Sequence, residues 1–98
     1  QENAYTKFMD THSENRRKRL KFQAWHRGFK EVDLILGPFA DERVGQMDET
    51  ELDQFEAILG VPDQDLYDWI CERSQPPERF RNRVYEQIFD FSRRPRGA

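Results

Sequence analysis

The sequence predicts an all-α fold: a single small domain of about five short helices. Three observations carry this prediction. Apolar residues recur at spacings of three and four along most of the chain, and no segment alternates with period two over a strand's length. Residues that start and stop helices bracket these apolar stripes. The chain has 98 residues, 36% hydrophobic and 13% aromatic, which is enough for one core but not for a spacious cleft between two lobes.

Residues 1–12 carry one Lys and two acids without an apolar run. They read as a flexible N-terminal arm, neither signal nor transit peptide, with Tyr5, Phe8 and Met9 able to dock locally. Ser13 is a candidate N-cap, its hydroxyl accepting an N–H two or three residues on. A first helix over 14–26 then sets Leu20, Ala24 and Trp25 on one side, and Gly28 interrupts it. A second helix over 29–44 puts Phe29, Val32, Leu36, Phe39 and Ala40 on one stripe, which outvotes the modest β-propensity of Val32–Ile35. Pro38 lacks an N–H and crowds the preceding turn, so a kink or break is expected near Gly37-Pro38.

Asp48 and Glu51 have capping-box spacing and open a third helix over 48–59, with Leu52, Phe55, Ile58 and Leu59 as its stripe. Gly60 is the expected stop. Val61-Pro62-Asp63 restarts the chain into a fourth helix over 64–73, carrying Leu66, Trp69 and Ile70. Gln75-Pro76-Pro77 is a rigid connector, with Pro77 suited to the first position of a helix over 77–92. That helix carries Phe80, Val84, Ile88 and Phe91. The helical domain thus covers 13–92, and residues 93–98 read as a disordered basic tail. Leu36, Phe39, Leu52, Phe55, Leu59, Trp69 and Ile88 are the expected core.

The net charge of −3 hides a segregation: residues 1–40 carry +3, residues 41–72 carry −10 and residues 73–98 carry +4. Such a pattern implies helices that neutralise one another or partners with complementary patches. Unbroken aliphatic runs, such as Leu34-Ile35-Leu36, stop at three residues, far short of the ~18 residues of a membrane span. The one cysteine, Cys71, cannot form an internal disulfide and reads as a buried, inert thiol. His12 and His26 have no ligand at metal-binding spacing. Neither a phosphate-cradling glycine loop nor an acid–base pair is present.

Two segments stand out. Arg16-Arg17-Lys18-Arg19-Leu20-Lys21 holds five basic residues in six. It reads as a solvated helix face able to pair with the acidic helices, or else as a nucleic-acid patch without an aromatic stacking platform. The other is Arg27-Gly28-Phe29-Lys30-Glu31. Gly28 permits a tight turn or close approach by a partner, and Glu31 suits the positive end of the second helix. Arg27 and Glu31 read either as an i,i+4 ion pair, worth a few tenths of a kcal/mol, or as part of a binding site.

These segments, followed by Asp33-Leu34-Ile35-Leu36-Gly37-Pro38-Phe39-Ala40, then Leu52, Phe55, Leu59 and Asp65-Leu66-Tyr67-Asp68-Trp69, resemble the succinate dehydrogenase assembly factor family. These are small flavinylation factors of bacteria with mitochondrial relatives. The likeness covers residues 14 to about 92. Phe29 and Lys30 depart from the apolar pair many relatives carry, at positions that vary.

The resemblance implies a non-enzymatic, chaperone-like assembly factor that promotes covalent FAD attachment to the flavoprotein subunit of succinate dehydrogenase, with fumarate reductase flavoproteins as a second client class. The flavin bond forms on a histidine of the client. FAD is the client's cofactor, and none is held stably by this chain. Arg27, Gly28 and Glu31 are the implied contact site, with Phe29 flanking it and Arg16, Arg17 and Arg19 as accessory partner-binding charges. A monomer is expected that binds no membrane and no nucleic acid, cytoplasmic in a bacterium or in the mitochondrial matrix of a eukaryote. The alternative readings are a nucleic-acid-binding regulator resting on residues 16–21 and a toxin-binding, antitoxin-like module.

Overall fold

The computed structural model describes residues 4–94, with side chains from 12 onward. Five α-helices follow in order: α1 Ala4–Trp25, α2 Lys30–Arg43, α3 Glu49–Leu59, α4 Asp63–Ile70 and α5 Arg83–Ser92. A 3-10 turn at Val44–Gln46 joins α2 to α3, and another at Glu78–Phe80 precedes α5. No strand occurs among the described residues, and none of their helices is long and apolar enough to cross a membrane.

The first helix starts nine residues before the expected cap. From Ala4 to Trp25 the backbone is continuously helical, so the segment expected as a flexible arm is helical from residue 4 on. Ser13 is an interior residue whose hydroxyl accepts from Arg17 Nε at 3.3 Å, one turn along. The physical reason is propagation. No Pro or Gly interrupts residues 4–12, and extending an existing helix is far easier than nucleating one. Residues 1–3 and the side chains of Tyr5, Phe8 and Met9 lie outside the described residues.

Of the kink or break expected near Gly37-Pro38, the break does not occur: α2 is continuous through Pro38. Packing holds it: Leu36, Gly37, Phe39 and Ala40, on both sides of the proline, are buried. The indole of Trp25 covers Gly37 so closely that a Cβ there would lie inside its van der Waals envelope. Trp25 Nε1 donates to Asp41 Oδ2 at 3.2 Å. Trp25 therefore clasps α1 to α2 from the rim, 36% exposed, rather than joining Leu20 and Ala24 in the core.

The capping box forms as expected. Glu51 N–H donates to Asp48 Oδ1 at 2.8 Å, and Asp48 N–H donates to Glu51 Oε1 at 3.0 Å. Gly60 then serves as the C-cap of α3 in right-handed geometry, φ −84°, so no left-handed glycine is used there. Helix α4 stops at Ile70, three residues early. Glu72 takes a positive φ of 62°, and the N–H groups of Glu72 and Arg73 return to the carbonyls of Trp69 and Asp68 in a Schellman arrangement. The last helix starts late. Pro77 leads into only a 3-10 turn, and the α-helical cap is Asn82, whose Oδ1 accepts from Tyr85 N–H at 3.0 Å.

Helix α1 packs against α2 and α3, α5 closes on α2 and α3, and α4 rests on α2. Phe39 sits centrally, its ring 5.7 Å from those of both Phe55 and Phe91. Of the expected core, Leu36, Phe39, Leu52, Phe55, Trp69 and Ile88 are buried. Leu59 is only half-buried, because the last turn of α3 borders a surface groove. Cys71, expected as a buried thiol, is also only half-buried, just past the end of α4. The first two residues of the expected tail are held. Arg93 donates to Ile70 O at 2.8 Å, and Arg94 donates to both carboxylate oxygens of Glu42 at 3.0 and 2.9 Å. Residues 95–98 lie outside the described residues.

Candidate functional site

The α1–α2 connection is short because one residue reverses it. Gly28 has φ +92°, a conformation that side chains other than hydrogen disfavour, and nothing within 4 Å would meet a Cβ placed there. The strain that selects glycine is thus in the backbone, and the space beside it is open. Glu31 follows in the first turn of α2. It is exposed and makes no hydrogen bond or ion pair among the described residues. Phe29 is half-buried against Tyr67, with ring centroids 5.5 Å apart. A hydrogen bond with the Cys71 thiol raises the Tyr67 phenol above its ordinary pKa.

Arg27 does not pair with Glu31. Its side chain is 10% exposed and turns towards the α3–α4 junction. Nε donates to Asp63, Nη1 to Leu59 O at 2.6 Å and Nη2 to Val61 O. Its backbone N–H donates to Asp33 Oδ1 at 3.0 Å. An i,i+4 pair loses this competition because two carbonyls and a carboxylate together offer a geometry that fits the planar guanidinium fork.

Beside this anchor lies an open groove of about 490 Å³, lined by Phe22, His26, Arg27, Glu56, Leu59 and Asp63 among others. Phe22 forms its rim, 65% exposed, and its ring stacks on His26 with centroids 4.2 Å apart. No motif in the sequence marks Phe22. The available signal was an aromatic on α1 outside the Leu20–Ala24 stripe.

The basic run is drawn into the fold. Arg16 donates to Glu49, Asp53 and Glu56 of α3 at 3.1, 2.7 and 2.9 Å, and its side chain is 17% exposed. The hydrogen bonds Arg16 donates to Asp53 and Glu56 raise its pKa above the ordinary value. Arg17 donates to Val44 O, and to Met47 O at 2.9 Å. Arg19 is more exposed and reaches Glu56 at 3.3 Å. Arg16 and Arg19 thus pair with the acidic helix α3, as the first reading of this run expects. Among the described residues no cluster of three potential ligands is placed to hold a metal ion.

Taken together, these features describe a small helical domain that presents a glycine turn and an exposed carboxylate, with an aromatic-rimmed groove beside the Arg27 anchor. Residues 18–92 match the family described as the flavinator of succinate dehydrogenase, and the chain belongs to that family. It is 39% identical over 83 residues to the FAD assembly factor SdhE of Acetobacter pasteurianus, covering 85% of this chain and 76% of that protein. It is 35% identical over 75 residues to the mitochondrial succinate dehydrogenase assembly factor 2 of Dictyostelium discoideum, and 38% identical over 71 residues to that of Arabidopsis thaliana. Those matches cover 76% and 69% of this chain, and 53% and 38% of the two mitochondrial proteins.

Proposed function

We propose that this chain is an assembly factor that binds the flavoprotein subunit of succinate dehydrogenase and promotes covalent attachment of FAD to it. The observation that carries the reading is the Arg27–Glu31 segment. In a chain of the flavinator family, it sets Gly28 in a positive-φ turn with open space beside it and Glu31 exposed one turn away. A backbone so bared admits close approach by a partner, and the carboxylate offers a charged acceptor next to it.

The chemistry belongs to the client. The flavin bond forms on that subunit, FAD is its cofactor, and the assembly factor acts without turning over a substrate of its own. Its contribution is to favour the client conformation in which flavin and acceptor histidine are in near-attack geometry. Phe22 and Phe29 flank the contact, while Arg19 and Lys18, the more exposed part of the basic run, steer the encounter. Fumarate reductase flavoproteins are a second client class. The work lies in the bacterial cytoplasm or the mitochondrial matrix, a reading supported by the bacterial and mitochondrial relatives.

The test is direct. Purified apo-flavoprotein and FAD are incubated with and without this chain, and flavin that survives denaturation is measured. The expected result is faster or more complete covalent incorporation in its presence. Equal incorporation with and without it, at concentrations where the two proteins do form a complex, would remove the proposal.

A further inference from the structure

We infer that Arg27 is a positioning residue for client binding: it holds the Gly28–Glu31 turn in its presenting geometry from behind and does not itself touch the client. The inference rests on the proposal that this turn is the client contact. It assigns different tasks to residues that stand side by side in one short motif.

The geometry points this way. The guanidinium is anchored to Asp63, Leu59 O and Val61 O, across the α3–α4 junction. All three of its nitrogens are occupied, and only 10% of the side chain is exposed. Presenting the fork to a partner would strand two junction carbonyls and a half-buried carboxylate, an unfavourable exchange. The backbone of the same residue is tied the other way, its N–H to Asp33 in α2. Arg27 therefore links three helices at the residue immediately before Gly28. A glycine at φ +92° is the most permissive point in the connection, and with one neighbour pinned on both sides it retains one direction of turn. Preorganising that turn lowers the ordering cost that binding would otherwise incur.

Asp63 and Arg27 must then act as one unit towards the client, although Asp63 belongs to another helix. Wild type is compared with Asp63→Asn, Arg27→Gln, Arg27→Lys and the Asp63→Asn/Arg27→Gln double variant. Affinity for the apo-flavoprotein is titrated well below every melting point, and amide exchange is followed across residues 28–33 of the free chain. Ile88→Val serves as a control that lowers the melt from the far side of the core.

The expected result is that Asp63→Asn weakens client binding by roughly tenfold, a loss typical of a coupled polar pair. The double variant should be no weaker than Arg27→Gln alone. Amides of 28–33 should exchange faster in each, and Ile88→Val should change neither affinity nor that exchange. Arg27→Lys, which keeps the charge but not the fork, should resemble Arg27→Gln. Wild-type affinity in Asp63→Asn beside a loss in Arg27→Gln would overturn the inference, since Arg27 would then contact the client directly. Strictly additive losses, or an equal loss in Ile88→Val, would overturn it too. Failure of the wild-type chain to bind any apo-flavoprotein is a different outcome, and removes the proposed function together with the inference built on it.

Discussion

Removing the Arg16 side chain tests whether the basic run is part of the fold. Arg16 reaches three carboxylates on one face of α3, and its own side chain is 17% exposed, whereas those of Glu49, Asp53 and Glu56 are 73%, 72% and 45% exposed. Such exposure puts each contact near the low end of the 0.2–1 kcal/mol range of surface pairs, so the three together contribute about 1 kcal/mol. Without Arg16, Glu49 and Asp53 repel at i,i+4 and Asp53 and Glu56 at i,i+3, which adds about 0.5 kcal/mol. Arg16→Ala should therefore cost about 1.5 kcal/mol, and a domain of this size melts about 4–8 °C lower per kcal/mol, so the fall should be about 6–12 °C. At about 1 M salt, where the screening length is near 3 Å, less than half of that difference should remain. Thermal melts of wild type and variant at low and high salt provide the readout. A fall below about 2 °C at low salt, or a difference indifferent to salt, would refute the network as a source of stability.

Other perturbations have equally definite outcomes. Gly28→Ala should lower stability by about 1–2 kcal/mol through its positive φ alone, since its methyl meets nothing in the free chain; a melt unchanged from wild type would show that the turn relaxes without penalty. Gly37→Ala drives a methyl into the Trp25 indole and should cost about 1–3 kcal/mol, with loss of the Trp25–Asp41 hydrogen bond visible at the indole N–H in NMR spectra. The hydrogen bonds from Arg94 hold the Glu42 carboxyl below its ordinary value of 4.5. Its contribution to stability is therefore fully present above that value and is lost as pH falls through the lower, folded-state one. In Arg94→Ala the Glu42 titration midpoint, followed by carbon NMR, should move up.

The fold was legible where the information is local. The α2 and α3 stripes, the Asp48–Glu51 capping box and the demand for glycine at position 28 each depend on residues within a turn or two of one another, and each appears in the structure. The start of α1 was not, because Ser13 has cap chemistry but sits in a run that nothing breaks, and helix propagation overrides a single cap preference. Asn82 was masked in the same way by Pro77, a stronger-looking start signal five residues earlier. At the candidate site the segment itself could be read, but the task of Arg27 could not. Its partners lie 32 to 36 residues away, and only tertiary packing decides whether the guanidinium faces Glu31 beside it or Asp63 across the junction. Arg16 presents the same difficulty, since its three acidic partners become neighbours only once α1 lies along α3.

The two tryptophans differ in setting, and that difference gives the protein an internal pair of optical probes. Trp69 is almost wholly sequestered among Phe80 and Tyr85, so its emission should be blue-shifted in the native state and should report global unfolding. Trp25 lies half in solvent over Gly37, three residues from the Gly28 turn. Its fluorescence should therefore respond to events at that turn while the core is undisturbed. In a Trp69→Phe background a partner seated on the turn alters only the remaining, peripheral emission, and quenching by iodide reads that occupancy without any added label.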